Sequence, residues 1–278
     1  MRKSKGEQEK MKNIERKIER AIALAVMLEP TGWGVALNVS RKRDHDDKKL
    51  QDFVVFGYDL GSMIMEKLYS EDGSGKGFTE IVEEQSKMFG TNLAFGEIFL
   101  LYLNSYGALF NSSLSPDTAA EGGTSLLYTM DPENYIKAIR ISSPSFIGRF
   151  SSSIIPSVLQ MFEAKERRMR LVDILRLNPF DPVSFETSRG FPYTRSLSAS
   201  LVKKLSCRIP SSSALDSLFS SLCCIFTDYL TYRRKGIERA EIASRDCCYS
   251  NSANESLGSI SDLVALTLFY YFLKCSGG

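Results

Sequence analysis

Histidine is almost missing from this chain of 278 residues: His45 stands alone, and no two of the six cysteines have the C-x-x-C spacing of a zinc site. That shortage speaks against a Cys/His metal centre. Cys207, Cys223, Cys224, Cys247, Cys248 and Cys275 are then expected to be buried, reduced thiols that pack as small hydrophobes in an intracellular protein. Charge bias is lacking as well. With a net charge of +2 and no recognisable binding module, no nucleic-acid partner is expected. The longest apolar run, Leu263 to Leu273, falls short of the roughly 20 residues that span a bilayer, so no membrane partner is expected. The N-terminus is polar and charged through Arg20, unlike a secretory signal, and the expected location is the cytoplasm. Strand-like alternation and internal repeats are absent too.

What is present is helical periodicity, with 43% hydrophobic residues to build a substantial core. Lys5 to Leu28 reads as one helix, its first turns fraying through about residue 10. The charged stretch from Pro30 to Asp47 reads as a loop. Helices follow at Leu50 to Tyr69, Phe78 to Met88, Phe95 to Phe110, and Pro132 to Ile141 behind the N-cap Asp131. Asn111 to Thr124 reads as a polar loop. Ile154 to Leu177 reads as helical with a break near Pro156, and Asn178 to Arg195 as irregular. Ala199 to Leu205, Ala214 to Tyr232, Gly236 to Tyr249 and Ser261 to Lys274 complete the expected helices. Short connections and one-sided apolar faces predict a single all-α domain of many helices over residues 1–278.

Several segments suggest phosphate chemistry. The run Arg43-Asp44-His45-Asp46-Asp47 offers clustered carboxylates for an oxygen-ligated cation such as magnesium; its alternative is a solvated charge patch. Gly90-Thr91-Asn92 precedes a strongly apolar helix, where free N–H groups favour phosphate or where Thr91 and Asn92 simply cap. Asp228 lies within an apolar helix that ends in Arg233-Arg234-Lys235-Gly236, and a buried aspartate there needs a cation or metal. Asp262 follows Gly258 near the start of another apolar helix. Glu71 to Gly77 lacks the G-x-x-x-x-G-K-[ST] spacing of a phosphate loop and reads as a flexible turn.

In order along nearly the whole chain, these segments resemble the triphosphoribosyl-dephospho-CoA synthase family. The resemblance is carried by Glu29 with Asn38-Val39, the acidic run with Phe53, Gly90-Thr91-Asn92 with Gly96, and Asp131 to Arg140. It continues through Asp181, Glu186, Gly190 and Phe191, then Thr227 to Gly236, and Ser256 to Leu263. The family's Lys-Pro-Gly turn reads Val35-Ala36-Leu37 here, so a basic contact with phosphate is lost.

The resemblance implies an all-α transferase that joins ATP to dephospho-CoA or a related acceptor with release of adenine, using magnesium. It assigns magnesium to Asp44, Asp46, Asp47 and Asp228, with Asp228 and Asp44 as the catalytic carboxylates. Phosphate contacts fall to Asn38, Arg41, Arg43, Gly90, Thr91, Asn92, Arg233, Arg234, Gly236, Gly258 and Asp262. Alternatives are a non-catalytic nucleotide-binding or regulatory protein on the same fold, and a helical magnesium-dependent nucleotide or ADP-ribose hydrolase. A homodimer is one option for its assembly.

Overall fold

A computed structural model describes residues 5–32, 34, 38–142, 168–250 and 253–277. Among them the chain forms thirteen α-helices and no sheet, bearing out the all-α expectation. The first six are α1 (Lys5–Leu28), α2 (Leu50–Tyr69), α3 (Lys76–Phe89), α4 (Phe95–Phe110), α5 (Pro116–Thr129) and α6 (Pro132–Ser142). After residue 168 come α7 (Leu171–Arg176), α8 (Pro182–Ser188), α9 (Pro192–Leu205), α10 (Ser212–Cys223), α11 (Tyr229–Lys235), α12 (Ile237–Ser250) and α13 (Gly258–Ser276). A 3-10 turn, Glu29–Thr31, follows α1. None of the described helices is long and apolar enough to cross a membrane.

Two helices, α4 and α13, are apolar on nearly every face, and both are buried almost throughout. A helix without a polar face has to be enclosed by others. Helix α13 packs against α1, α4, α9 and α10, and α1 covers α2 in turn. The first turns of α4 and α13 lie against each other: a Cβ added at Gly96 would stand 2.0 Å from Asp262 Oδ2. Only glycine leaves that carboxylate its place.

Four expectations are corrected. Asn111 to Thr124 is mostly helix, not loop, because Pro116 opens α5 and the glycine pair lies inside it. Those glycines serve packing: a Cβ on Gly122 would meet Gly107 Cα of α4 at 2.4 Å, and one on Gly123 would meet Leu103 O at 2.8 Å. Asn178 to Arg195 holds α8 and the start of α9, since Pro182 and Pro192 sit in first turns where no N–H is needed. Ala214 to Tyr232 is two helices, and Asp228 is the N-cap of the second, not a mid-helix residue. The cysteines are not free thiols. They pair as Cys207–Cys275, Cys223–Cys247 and Cys224–Cys248, because adjacent cysteines at the end of α10 face adjacent cysteines of α12 with Cα separations of 5.9 and 4.9 Å. Of the helix expected over Ile154 to Leu177, Leu171–Arg176 is borne out; Ile154 and Pro156 lie outside the described residues.

Candidate active site

The segment leading into α13 is the meeting point of distant parts of the chain. Asn38 Oδ1 accepts from Leu257 N at 2.6 Å and from Ser256 Oγ at 3.0 Å. Its amide donates to Leu257 O at 3.3 Å and, over a short contact, to Ser261 Oγ. Thr231 Oγ1 donates to Ser256 O at 3.1 Å. Lys235 and Arg239 grip the buried Glu255 at 2.7 and 2.8 Å, fixing the same loop from α11 and α12. Gly258 opens α13 where a Cβ would meet Leu230 Cδ1 at 2.7 Å.

Asp228 is fully buried beneath this loop. Its Oδ2 accepts from Thr231 N at 2.7 Å, which caps α11. Its Oδ1 accepts from Ser259 N at 3.0 Å and Ser259 Oγ at 2.5 Å, which pins the start of α13. Burial pushes the carboxyl upward, and these donors oppose the shift. Asp181 and Glu186 are used in the same way. Asp181 takes the N–H groups of Val183 and Ser184 at 3.2 Å each, and Glu186 takes those of Tyr193 and Thr194 at 3.1 and 2.9 Å. Buried carboxylates need such donors, and a cap supplies them.

Three other carboxylates, Glu29 and Glu97 buried and Asp262 half-buried, are not used as caps. Glu29, only 8% exposed, hydrogen-bonds with Ser261 and lines a small cleft of about 20 Å³ that also borders Asn38, Ser40 and Asp216. Burial raises its pKa to about 7 against the opposing pull of Ser261 and Lys48. Glu97, in the first turn of α4, is 2% exposed, and its Oε2 has no hydrogen-bond partner among the described residues. Burial first, then the charges of Glu29 and Asp262, hold Glu97 well above the usual carboxylate range. Asp262 is raised likewise by burial, then by Asp181 and Glu29. Lys48 is the cation among them. Its Nζ lies 3.5 Å from Leu93 O, and burial lowers its pKa despite Asp47 and Asp262.

The remaining expected residues sit around this centre. Arg234, exposed on α11, adds its charge to that of Lys48. Arg233 Nη1 donates to Tyr229 Oη at 3.3 Å, while its buried Nη2 has no hydrogen-bond partner among the described residues. Gly236 ends α11 with φ +88°, and Gly90 ends α3 with φ +68°, both in the left-handed region. Thr91 Oγ1 donates to Asp47 Oδ2 at 2.9 Å, and Asn92 Oδ1 accepts from Phe95 N at 3.1 Å. Asn92 thus meets the first N–H of α4 from outside the helix, while the N-cap position itself is Ala94. Asp44, Asp46 and Asp47 are exposed, as are Arg41 and Arg43 on the tight turn closed by Ser40. Asp44 Oδ1 accepts from Leu50 N at 3.0 Å and so caps α2.

The magnesium set predicted from sequence therefore does not come together. Asp44 and Asp47 accept from different partners, Asp228 is buried elsewhere, and no group of three or more His, Cys, Asp or Glu among the described residues is arranged to hold a metal ion. Val35-Ala36-Leu37, the altered turn, lies outside the described residues. Lys48 and Glu97 escaped sequence reasoning. Glu97 did leave a signal, as the only charge in the apolar run from Leu93 to Phe110.

Comparison with known proteins gives a family and a fold. Residues 15–249 match the model of the family described as ATP:dephospho-CoA triphosphoribosyl transferase. Among solved structures, a protein of Archaeoglobus fulgidus assigned as a triphosphoribosyl-dephospho-CoA synthase superposes with a TM-score of 0.59 at 17% identity. The match covers 78% of this chain and 97% of that one, and at this identity it shows the shared fold. No curated protein sequence matches. With the greater part of its length matched, the chain belongs to the ATP:dephospho-CoA triphosphoribosyl transferase family.

Proposed function

We propose that this protein transfers the triphosphoribosyl group of ATP to a hydroxyl of dephospho-CoA or a closely related acceptor and releases adenine. The observation that carries the reading is the convergence of Glu29, Asn38 and Asp228, from three distant segments, on the start of α13, which carries Asp262. Family membership supplies the reaction class.

The acceptor oxygen forms a bond to the anomeric carbon of the ribose as the bond from that carbon to adenine N9 breaks. The electron pair of the broken bond leaves with adenine. The triphosphate stays on the ribose. Glu29, which lines the cleft and has its pKa near neutrality, takes the acceptor's proton and returns it to the departing adenine. Lys48, Arg233 and Arg234 are the cations suited to the triphosphate. Asp228 shapes the site through its two caps, and the three donors on its oxygens favour its charged form.

Purified protein incubated with ATP, magnesium and dephospho-CoA should release free adenine and yield an acceptor heavier by one triphosphoribosyl group, read by chromatography and mass spectrometry. Tight ATP binding without adenine would favour the non-catalytic reading. Adenine released without any acceptor would favour the hydrolase.

A further inference from the structure

A second opening lies at the C-terminal end of α8. It is a groove of about 600 Å³, lined among the described residues by Thr124 and Tyr128 of α5, Arg176 of α7, and Ser188, Arg189 and Gly190 where α8 ends. Small-molecule sites have that size. No carboxylate is among these lining residues. Arg176 Nη2 donates to Tyr128 Oη at 3.3 Å, so the tyrosine keeps its own O–H to give. Asp173 is held mainly by Arg170, which donates to both its oxygens at 2.9 and 3.3 Å, while Arg176 approaches it only at 3.5 Å. Arg170 also lies over the Tyr128 ring, 5.2 Å from the centroid. Arg189 lies over the Phe185 ring at 3.9 Å and makes no ion pair among the described residues. Stacking fixes the plane of a guanidinium and leaves its edge N–H groups open to an anion. Thr124 and Ser188 are already spent on the carbonyls of Ala120 and Phe185. The two arginines and Tyr128 are therefore the recognition groups of the groove.

The transfer brings together two ligands that each carry linked phosphates, and Lys48, Arg233 and Arg234 suit only one of them. We propose that the groove takes the diphosphate of the acceptor, with Arg176 and Arg189 as its cationic partners and Tyr128 as a hydroxyl donor. Guanidinium forks match phosphate oxygens in geometry as well as charge. The groove adjoins the site on two sides. Phe180, four residues after Arg176, meets Tyr232 of α11 edge-on with ring centroids 6.2 Å apart, next in the chain to Arg233. Helix α8 leads from Asp181 to the groove in seven residues, about 10 Å at the helical rise. Several bonds separate a nucleotide's ribose hydroxyl from its diphosphate, a reach of that order. The identity of the ligand rests on the transferase reading, whereas the affinity of the groove for linked phosphates does not.

Equilibrium dialysis of the full chain against dephospho-CoA, ATP and inorganic pyrophosphate, each alone, tests this. Arg176→Gln and Arg189→Gln should each weaken dephospho-CoA binding about tenfold and leave ATP binding within about twofold. Arg245→Gln removes the same charge from an exposed position on α12 and should change neither. Unchanged dephospho-CoA binding in the groove variants, equal weakening of ATP, or an equal loss in Arg245→Gln would overturn the proposal. Wild-type protein that binds no dephospho-CoA would overturn it too. Pyrophosphate separates the sources of the phosphate. If its binding weakens in the groove variants while that of dephospho-CoA holds, the groove serves a free phosphorylated compound and the assignment to the acceptor falls. Adenine release is followed on the same samples: its absence from the wild type sinks the transferase reading, and the dialysis still decides the groove.

Discussion

Two sets of acidic residues in this protein differ in everything except their chemistry. Asp44, Asp46 and Asp47 crowd a single exposed turn, where water screens them and two of them serve as acceptors for Leu50 N and Thr91 Oγ1. Glu29, Glu97 and Asp262 come from three separate segments and meet inside the fold around one lysine. The first set is conspicuous in the sequence and ordinary in space. The second is scattered in the sequence and concentrated in space. Charge density along a chain therefore says little about reactivity; what shifts a carboxyl's behaviour is loss of solvent and the company of like charge.

The contrast can be sharpened by pH. Glu29 rises from its ordinary 4.5 to about 7 on folding, so across that window the native state holds a proton that the unfolded chain has released. Stability should then be greatest on the acid side and fall as pH climbs from about 4.5 toward 7, by on the order of 3 kcal/mol from this group. Denaturant titrations should show that slope and show it reduced in Glu29→Gln, while Asp46→Asn leaves it unchanged.

Caps provide a second comparison. Asp228→Ala removes the acceptor of three buried donors and should cost about 2–3 kcal/mol in denaturant unfolding. Asp44→Ala removes one exposed cap and should cost about 1 kcal/mol at most. Gly96→Ala falls between them, at about 1–2 kcal/mol, because its methyl group would have to displace the Asp262 carboxylate. A cost for Asp44→Ala equal to that for Asp228→Ala would break the distinction between the two regions.

Much of the fold was legible because α1, α2 and α4 announce themselves by apolar spacing, and their ends agree with the structure. The errors have physical causes. Gly122 and Gly123 read as turn residues, yet they let α5 lie directly on α4. Pro182 and Pro192 read as breakers, yet they open helices. Asp228 read as a buried mid-helix charge in need of a cation because the unbroken apolar pattern around it hides the turn it caps. At the site, Asn38, Asp228, Gly258 and Asp262 were reached through the order of motifs, while their roles depended on partners far away in sequence. Lys48 was lost inside a charge run, and Glu97 inside an apolar helix. The disulfides were misread because adjacent cysteines match no zinc spacing and their partners lie on another helix.

The most direct test is the rate of adenine release from ATP and dephospho-CoA by Glu29→Gln set beside that of Asp46→Asn. A reactive centre among the enclosed carboxylates predicts a loss of about 10²–10⁴-fold for the first variant and less than about twofold for the second. Full activity in Glu29→Gln, with activity abolished in Asp46→Asn, would return the chemistry to the exposed turn and contradict the account.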